Sequence, residues 1–422
     1  MFLVRLTRIW SRRRWVGIAL VVTSLAACDN ARIQVCFSGD ANDVQVSPSG
    51  RAVALVDPET YSAVLSAPAD APPDMNCAVD EYLSRFQTRP EAIIFTVDFE
   101  DEAVTLSRLT EERGFHFFGD LSREMSDDEL REYSAVVQEV RGIVATMPRE
   151  PVFAFNARYH DLEEGTGSGS LAQCSPGCPS FLRGYLFLPN KESLVAGRFM
   201  HEFAHFWGAH LQGPDPLADQ IQIHDGHWGF TSVGGQLGGW VPGSLVNNAD
   251  GTWSGRVFPA GRASNVTPYA PLELYLMGMI PAGLVEPIET AVGVRDVSKG
   301  DDNVVTFGAE RIETISIENI VAANGPRSPT SDASTNRFRV ALVILADHQL
   351  NTEEWDFYER AIDFLEADQD EDILEAFPEA QYPGHHDAWK FFSNDGREPY
   401  LNFFSTTSGN GTLQFEKVTN TE

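Results

Sequence analysis

The strongest constraint in this sequence is a pair of histidines four residues apart inside a segment with helical periodicity. The segment 191–207 follows Asn190, a suitable N-cap, and precedes Gly208, which typically ends a helix. Its apolar residues recur at helical spacing: Leu194, Phe199, Met200, Phe203 and Phe206. On such a helix His201 and His205 lie on one face, one turn apart. We therefore predict a helix over 191–207 whose two imidazoles can converge on a single ion.

The residues between these histidines complete a recognisable chemical pattern. The sequence reads His201-Glu202-Phe203-Ala204-His205, or HExxH, in which two imidazoles bind zinc and the glutamate serves as general base. Zinc lowers the pKa of a bound water toward neutrality, and the glutamate would take its proton during attack on an amide carbonyl. The pattern predicts a zinc ion as cofactor, Glu202 as the catalytic base and a third protein ligand elsewhere in the chain.

The residues that follow narrow the choice of the third ligand. The stretch from His201 to Gly208 reads HEFAHFWG, and HExxHxxG resembles the start of the metzincin motif of zinc peptidases. In that superfamily the glycine turns the chain sharply, and the third histidine usually comes three residues later, where this chain has Leu211. The leishmanolysin-like branch places that histidine after a long insertion and before a Trp, as in His227-Trp228 here. The resemblance implies that His227 is the third zinc ligand.

Two further segments bear on this resemblance. In the leishmanolysin-like branch a Met-turn follows the third histidine, and that position falls near Leu237, which could supply an apolar floor under the metal. The later segment APLELYLMGM resembles the stretch that comes after the Met-turn. The resemblance covers residues 184–280 approximately. It implies a zincin-like catalytic domain, with a mixed sheet over the active-site helix.

Other residues could complete the site. Glu273, in a predicted helix over 271–279, would be the carboxylate ligand of a gluzincin-type arrangement, although a Glu in a first helical turn also favours the helix itself. His210 lies one residue before the metzincin position and is a weaker candidate, as is His224. Tyr275 could stabilise the oxyanion formed during hydrolysis, or could belong to the core. The sequence leaves these alternatives open.

The first residues indicate an exported, lipid-anchored protein. Residues 1–14 contain five arginines and no acid, an apolar run over 15–22 follows, and small residues lead to Cys28. The tetrad Leu25-Ala26-Ala27-Cys28 resembles the lipobox of bacterial lipoproteins, in which the cysteine becomes the lipidated first residue. The resemblance implies a signal peptide over 1–27. The mature chain would be held on the inner or outer membrane of the cell envelope, facing the periplasm or the exterior.

Four further cysteines suit an oxidising compartment. Cys36 and Cys77 are nearest to each other in sequence, as are Cys174 and Cys178, so we favour a disulfide within each pair. A metal site at Cys174 and Cys178 is the alternative for the second pair, but it would need further ligands nearby.

The charge of the chain restricts its partners. The formal charge is −30, and it becomes −35 without the five arginines of the signal segment. So acidic a surface repels nucleic acid and anionic headgroups, and contact with a membrane would therefore come from the lipid. With 43% hydrophobic residues, the chain can bury a large core. We expect a globular monomer whose partners are protein or peptide substrates and a membrane, and not nucleic acid.

The remaining patterns predict an α+β fold. The predicted elements are strands at 31–37, 51–56, 91–99, 151–156, 184–188 and 338–346, helices at 126–145, 191–207, 271–279 and 352–365, and a β-rich end at 401–415. We divide the mature chain into a small N-terminal β-rich unit and linker (28–84), a zincin-like catalytic domain (85–290) and an α/β C-terminal part of the same or an attached domain (291–422). Strand 184–188 is expected at the sheet edge, where an extended substrate would bind by strand addition.

Together these features predict a zinc-dependent endopeptidase on a lipid-anchored envelope protein. The alternative is a catalytically inactive zincin-fold lipoprotein that serves in binding or adhesion. Glu202 argues against that alternative, because a binding module has no need of a general base. A structural lipoprotein with an accidental HExxH is a third reading. The substrate and its cleavage specificity are not encoded in any pattern that we recognise.

Overall fold

The structure combines a mixed sheet with helices, which confirms a mixed fold of α and β elements. The computed structural model describes residues 35–40, 43–58, 74–98, 155–158, 182–188, 191–195, 199–208, 210–224, 226–256, 266–299, 304–378 and 400–418. The strands are β1 (Val44–Val46), β2 (Ala52–Val56), β3 (Ala92–Asp98), β4 (Phe155–Arg158), β5 (Gly184–Leu188), β6 (Val246–Asn247), β7 (Thr252–Arg256), β8 (Ile288–Val292), β9 (Arg295–Lys299), β10 (Val304–Gly308), β11 (Arg311–Ile315), β12 (Arg337–Ala346) and β13 (Thr412–Phe415). The helices are α1 (Asn76–Arg85), α2 (Phe199–Ala204), α3 (Asp215–Ile223), α4 (Pro271–Met277), α5 (Ile317–Asn324), α6 (Thr352–Glu366), α7 (Ile373–Ala376) and α8 (Phe403–Thr406). Short 3-10 turns lie at Lys191–Leu194, Ala282–Leu284 and Ser331–Ala333.

A seven-stranded mixed sheet forms the centre of the fold, in the order β1-β2-β12-β3-β5-β4, with β13 also paired to β12. Strands β2, β12, β3 and β5 run parallel, whereas β1 and β4 pair antiparallel at the two ends. Strand β12 is the organising strand, because it pairs with β2 and β13 on one side and with β3 on the other. Parallel strands covered on both faces read as continuous apolar runs, and this is why the pattern located β3, β5 and β12.

Strand β5 lies inside this sheet, so the prediction that 184–188 is the edge strand is wrong. Its neighbours are β3, which runs parallel to it, and β4, which runs antiparallel. The order of strands depends on pairing between distant segments, which a local pattern does not encode. Strand β4 closes this end of the sheet and lies against α2.

Alternate residues of the central strands face two separate cores. In β3, Ile94 packs into the same core as Phe199 and Phe203 of α2. The next residue, Phe95, faces the opposite core, which includes Tyr82 of α1. The period of two along each strand produces this separation. As a result, α2 lies on one face of the sheet and α1 on the other.

The disulfide Cys36–Cys77 confirms one of the two predicted pairs. It joins the segment before β1 to α1, on the face of the sheet opposite α2. Cys36 lies between Val35 and Phe37, which both belong to the core on that face. Cys28, Cys174 and Cys178 lie outside the described residues, so lipidation and the second pair stay predictions.

A smaller antiparallel sheet packs beside the loop that follows α3. Its strands are β6, β7, β10 and β9, and β8 pairs separately with β11. The backbone of the loop is fastened to β8, since Ser232 N donates to Glu289 O at 2.8 Å and Ala291 N donates to Phe230 O at 3.0 Å. Trp240, fully buried, fixes the end of the loop in the core of this sheet. The loop from 226 to 240 is therefore anchored to the rest of the fold.

The central sheet draws on the whole chain. The predicted parts 28–84, 85–290 and 291–422 each contribute strands to it, and Arg32–Glu422 form one compact unit. Among the described residues, no helix has the length and apolar character required to cross a membrane.

Two strand predictions fail locally. Residues 35–37 form no strand, and the β-rich end begins with helix α8, leaving only Thr412–Phe415 as a strand. Helix α8 forms because the Asn402 side chain caps it, accepting the N–H of Ser405 at 2.9 Å. The predicted helix 126–145, and residues 151–154 of a predicted strand, lie outside the described residues.

We expect the disulfide to stabilise the fold without affecting the other face of the sheet. Replacing Cys36 and Cys77 together by Ser should lower the free energy of unfolding by about 4 kcal/mol, because the bond closes a loop between residues 41 positions apart. Urea denaturation followed by tryptophan fluorescence measures this change. An unchanged unfolding midpoint in the double variant would contradict the prediction.

Candidate metal centre

Helix α2 carries His201, and His205 directly follows its last residue, because the helix is shorter than predicted. The predicted helix 191–207 is a 3-10 turn at Lys191–Leu194 followed by the helix Phe199–Ala204. His205 lies on the turn that ends the helix, where Gly208 N still donates to Ala204 O at 2.8 Å. His205 therefore still lies one turn after His201, although the helix ends before it. The ring centroids of the two histidines are 4.9 Å apart.

Three histidines converge at this point. Nε2 of His201 lies 3.3 Å from Nε2 of His205 and 3.2 Å from Nε2 of His227. His201 is buried, and the other two are half-buried. His201, His205 and His227 lie close enough together to hold a metal ion.

The other ring nitrogens fix the protonation of two of these rings. Nδ1 of His201 lies 2.8 Å from the carbonyl oxygen of Gln236, and Nδ1 of His227 lies 2.9 Å from that of His224. A carbonyl only accepts hydrogen bonds, so each Nδ1 carries the proton and each Nε2 of a neutral ring presents a lone pair. When both rings are neutral, two lone pairs face each other at 3.2 Å. A metal ion between the nitrogens would remove that repulsion.

The spacing of the nitrogens suits a tetrahedral ion. Ligand nitrogens at about 2.0–2.1 Å from zinc in tetrahedral geometry are about 3.3–3.4 Å from one another. The distances from His201 to His205 and His227, 3.3 and 3.2 Å, agree with that value. Burial, followed by the neighbouring His201 and His227, lowers the pKa of His205 well below 6.5. The third ring is therefore also in the neutral form that binds metals.

Glu202 lies on the same helix, next to His201 in sequence, and its side chain is buried. A buried carboxylate is a side chain that could serve as a proton acceptor.

Gly208 lies on the bend that follows α2, and packing at this position also requires a glycine. A Cβ atom at this position would lie 2.6 Å from Cδ1 of Leu237 and 3.3 Å from the carbonyl oxygen of Ala204. The glycine is therefore needed because Leu237 packs directly against the end of α2. Leu237 is fully buried and occupies the position at which the metzincin pattern has its Met-turn.

Glu273, the alternative third ligand, lies outside the histidine cluster. Its Oε1 accepts from Trp228 Nε1 and Leu237 N, each at 2.8 Å, and its Oε2 accepts from Gln236 N at 3.0 Å and Ala270 N at 2.8 Å. Burial raises the pKa of Glu273, and the four N–H donors act in the opposite direction. Both oxygens are already fully used by these donors, which leaves no lone pair for a metal ion.

The remaining candidates also lie outside the cluster. Nε2 of His210 donates to the carbonyl of His205 at 2.6 Å, and His224 contributes its carbonyl to His227. Burial, with His227 nearby, lowers the pKa of the His224 ring to about 4. The hydroxyl of Tyr275 accepts the backbone N–H of Arg327 at 3.3 Å, within the core. The oxyanion role of Tyr275 stays a prediction.

The sequence patterns did not identify the residues that hold the histidine side chains and helix α2 in place. Gln236 acts through its carbonyl, and Tyr269 donates its hydroxyl to the carbonyl of Met200 in α2 at 2.8 Å. Every residue has a main-chain carbonyl, so a pattern of side chains does not predict which carbonyl has this role. The glycines around Gln236 were the available signal, because they indicate a tight turn with close backbone approach.

Comparison with known proteins gives no family assignment. No protein-family model, no curated protein and no solved structure matches this chain. The function of the site must therefore be argued from its own residues and their geometry.

Proposed function

We propose that this chain is a zinc-dependent endopeptidase that acts in the bacterial cell envelope. The observation that carries the proposal is the convergence of the Nε2 atoms of His201, His205 and His227, with separations of 3.3 and 3.2 Å from His201, beside the helix that bears Glu202. Imidazole nitrogens at this spacing can hold a metal ion, and Glu202 can supply a base.

Zinc is the ion that best suits these donors. Imidazole nitrogens bind zinc, copper, iron and nickel, and geometry decides among them. The nitrogen separations of 3.2 and 3.3 Å favour a tetrahedral ion. Zinc adopts that geometry readily and has no redox chemistry, which suits a site whose remaining group is an acid–base residue.

The number of ligands favours catalysis over a structural role. Structural zinc sites are closed by four protein ligands, whereas catalytic sites use three and keep one position for water or substrate. Among the described residues three histidines could hold the ion, which matches the catalytic pattern, and Glu273, the alternative from the sequence, is committed to four N–H donors.

The proposed reaction assigns each residue a task. A zinc ion held by His201, His205 and His227 would supply a Lewis acid that polarises the scissile carbonyl and acidifies a water molecule. Glu202 would accept a proton from the attacking water as the new C–O bond forms. It would then pass that proton to the leaving nitrogen, which takes the electron pair of the breaking C–N bond. The carbonyls of Gln236 and His224 would keep the protons of the His201 and His227 rings on Nδ1, so that each Nε2 stays available to the metal ion.

We also propose that a lipid on Cys28 attaches the mature chain to a membrane. The support is the lipobox-like tetrad Leu25-Ala26-Ala27-Cys28 and the acidic surface, which would not itself bind anionic headgroups. The enzyme would then meet protein or peptide substrates at the envelope.

The metal site can be tested by its dependence on the third histidine. His227→Ala should lower zinc affinity by more than about 100-fold, because loss of a ligand costs more than loss of an outer hydrogen bond. Competition with a chromophoric chelator measures the affinity. His348→Ala is the matched control, since that imidazole bonds Asp347 and Glu354 instead. Equal zinc affinity in wild type and His227→Ala would contradict the assignment.

The catalytic assignment rests on Glu202. Glu202→Gln should retain one zinc per chain but lose about 10²–10⁴-fold in turnover, because only the proton acceptor is removed. Casein and a library of quenched fluorogenic peptides provide the assay, and mass spectrometry maps the cleavage sites.

Glu289→Gln serves as the control, since it removes a carboxylate charge from β8 without touching the site. A zinc-loaded wild type that cleaves nothing would instead support the non-catalytic binding lipoprotein.

The membrane anchor is tested separately. Cys28→Ser should move the protein from the membrane fraction to the soluble fraction of producing cells, because no acyl chain can then be attached. Fractionation followed by immunoblotting gives the result, and mass spectrometry identifies lipid on the N-terminal peptide. A wild-type chain found only in the soluble fraction rules out the anchor.

A further inference from the structure

Glu273 is a buried carboxylate whose four hydrogen-bond partners are all neutral N–H groups. The side chain is 1% exposed, and each of its oxygens accepts two hydrogen bonds. Only one of these donors, Ala270 N, belongs to the start of its own helix. The other three belong to the loop between α3 and β6 that carries His227. Capping of α4 therefore accounts for one of the four contacts.

One peptide group connects this carboxylate to a metal-site imidazole. The N–H of Leu237 donates to Oε1 of Glu273 at 2.8 Å. The carbonyl of the same peptide unit belongs to Gln236 and accepts from Nδ1 of His201, also at 2.8 Å. A hydrogen bond at one end of a peptide group polarises it and strengthens the bond at the other end. The negative charge on Glu273 thus makes the Gln236 carbonyl a better acceptor.

The same carboxylate also fixes the neighbour of the third histidine. Oε1 accepts the indole N–H of Trp228, and Trp228 directly follows His227. The backbone N–H of Trp228 donates to the carbonyl of Leu237 at 2.9 Å, which ties the two parts of the loop together. Trp228 is fully buried, so its indole holds a single place in the core.

The backbone next to this carboxylate packs closely around it. A Cβ atom on Gly235 would lie 2.1 Å from Oε2 of Glu273. Gly235 and Gly238 also exchange two backbone hydrogen bonds, of 3.1 and 3.0 Å, which close the turn that presents two N–H groups to the carboxylate. The turn is therefore built around the carboxylate.

We propose that Glu273 is a positioning residue of the metal centre, acting through the peptide unit between Gln236 and Leu237 on His201 and through Trp228 on His227. Carboxylates that bond the far nitrogen of a ligand histidine orient the ring and raise its basicity, and here a peptide group extends that arrangement by one step. The inference rests on the proposed zinc function.

The test compares zinc affinity and apoprotein stability in the intact chain. Glu273→Gln keeps the shape of the side chain, but its NH₂ group faces N–H donors instead of accepting from them. Zinc affinity should fall about 10–100-fold, as for other outer partners of metal ligands. With Co²⁺ as the probe, the visible absorption bands of the bound ion should shift, because His201 is less firmly oriented.

Trp228→Phe removes one donor and leaves the peptide bridge intact. Trp228→Phe should lower zinc affinity less than Glu273→Gln does. In the double variant the combined loss should be smaller than the sum of the two single losses, because both changes break the same hydrogen bond. Asp98→Asn is the matched control: it alters another buried carboxylate, held by Lys191 and Tyr358, and should leave zinc affinity unchanged even if stability falls.

The outcomes separate this inference from the proposed function. If wild type binds no zinc, the proposed function fails. If wild type binds zinc through His227 but Glu273→Gln changes only the melting temperature, Glu273 is merely structural and the inference is overturned. Should Glu273→Gln not fold, Trp228→Phe decides: unchanged zinc affinity and an unchanged Co²⁺ spectrum overturn the inference, and a measurable loss supports it.

Discussion

Two main-chain carbonyls determine what this site can be. The carbonyls of Gln236 and His224 each hold the Nδ1 proton of a histidine, so both Nε2 atoms present lone pairs to a shared point. Without those carbonyls the rings could rotate or exchange tautomers. Neutral rings with lone pairs 3.2 Å apart repel each other, and a metal ion between them would remove that repulsion. The surrounding structure serves to keep these two carbonyls in place.

The fold achieves this with elements from distant parts of the chain. Helix α2 is held against the central sheet by an aromatic core in which Phe203 contacts Phe338 of β12 and Phe403 of α8. The loop with Gln236 is fastened on the other side to β8 and to Glu273 of α4. These supports hold the backbone groups that orient the histidine rings.

Sequence reasoning reached the parts of the site that depend on local spacing. HExxH defines its own geometry through the helical period, and apolar runs revealed β3, β5 and β12 because those strands are covered on both faces. His227 came from a resemblance in the residues around it. The place of β5 in the sheet and the role of Glu273 could not be found in this way. Both depend on which distant backbone groups come together, and every residue carries the same backbone groups.

The position of β12 in the sheet has a consequence for the order of folding. Strands β2 and β3 do not pair with each other; β12, which begins at Arg337, lies between them and joins the pair β1–β2 to the pair β3–β5. Residues 99–336 separate β3 from the strand that must insert between it and β2. The facing edges of β2 and β3 therefore stay unpaired until β12 has been synthesised. The formation of contacts between such distant segments is slow. The central sheet of such a chain can close only after β12, in the last quarter of the sequence, has been synthesised.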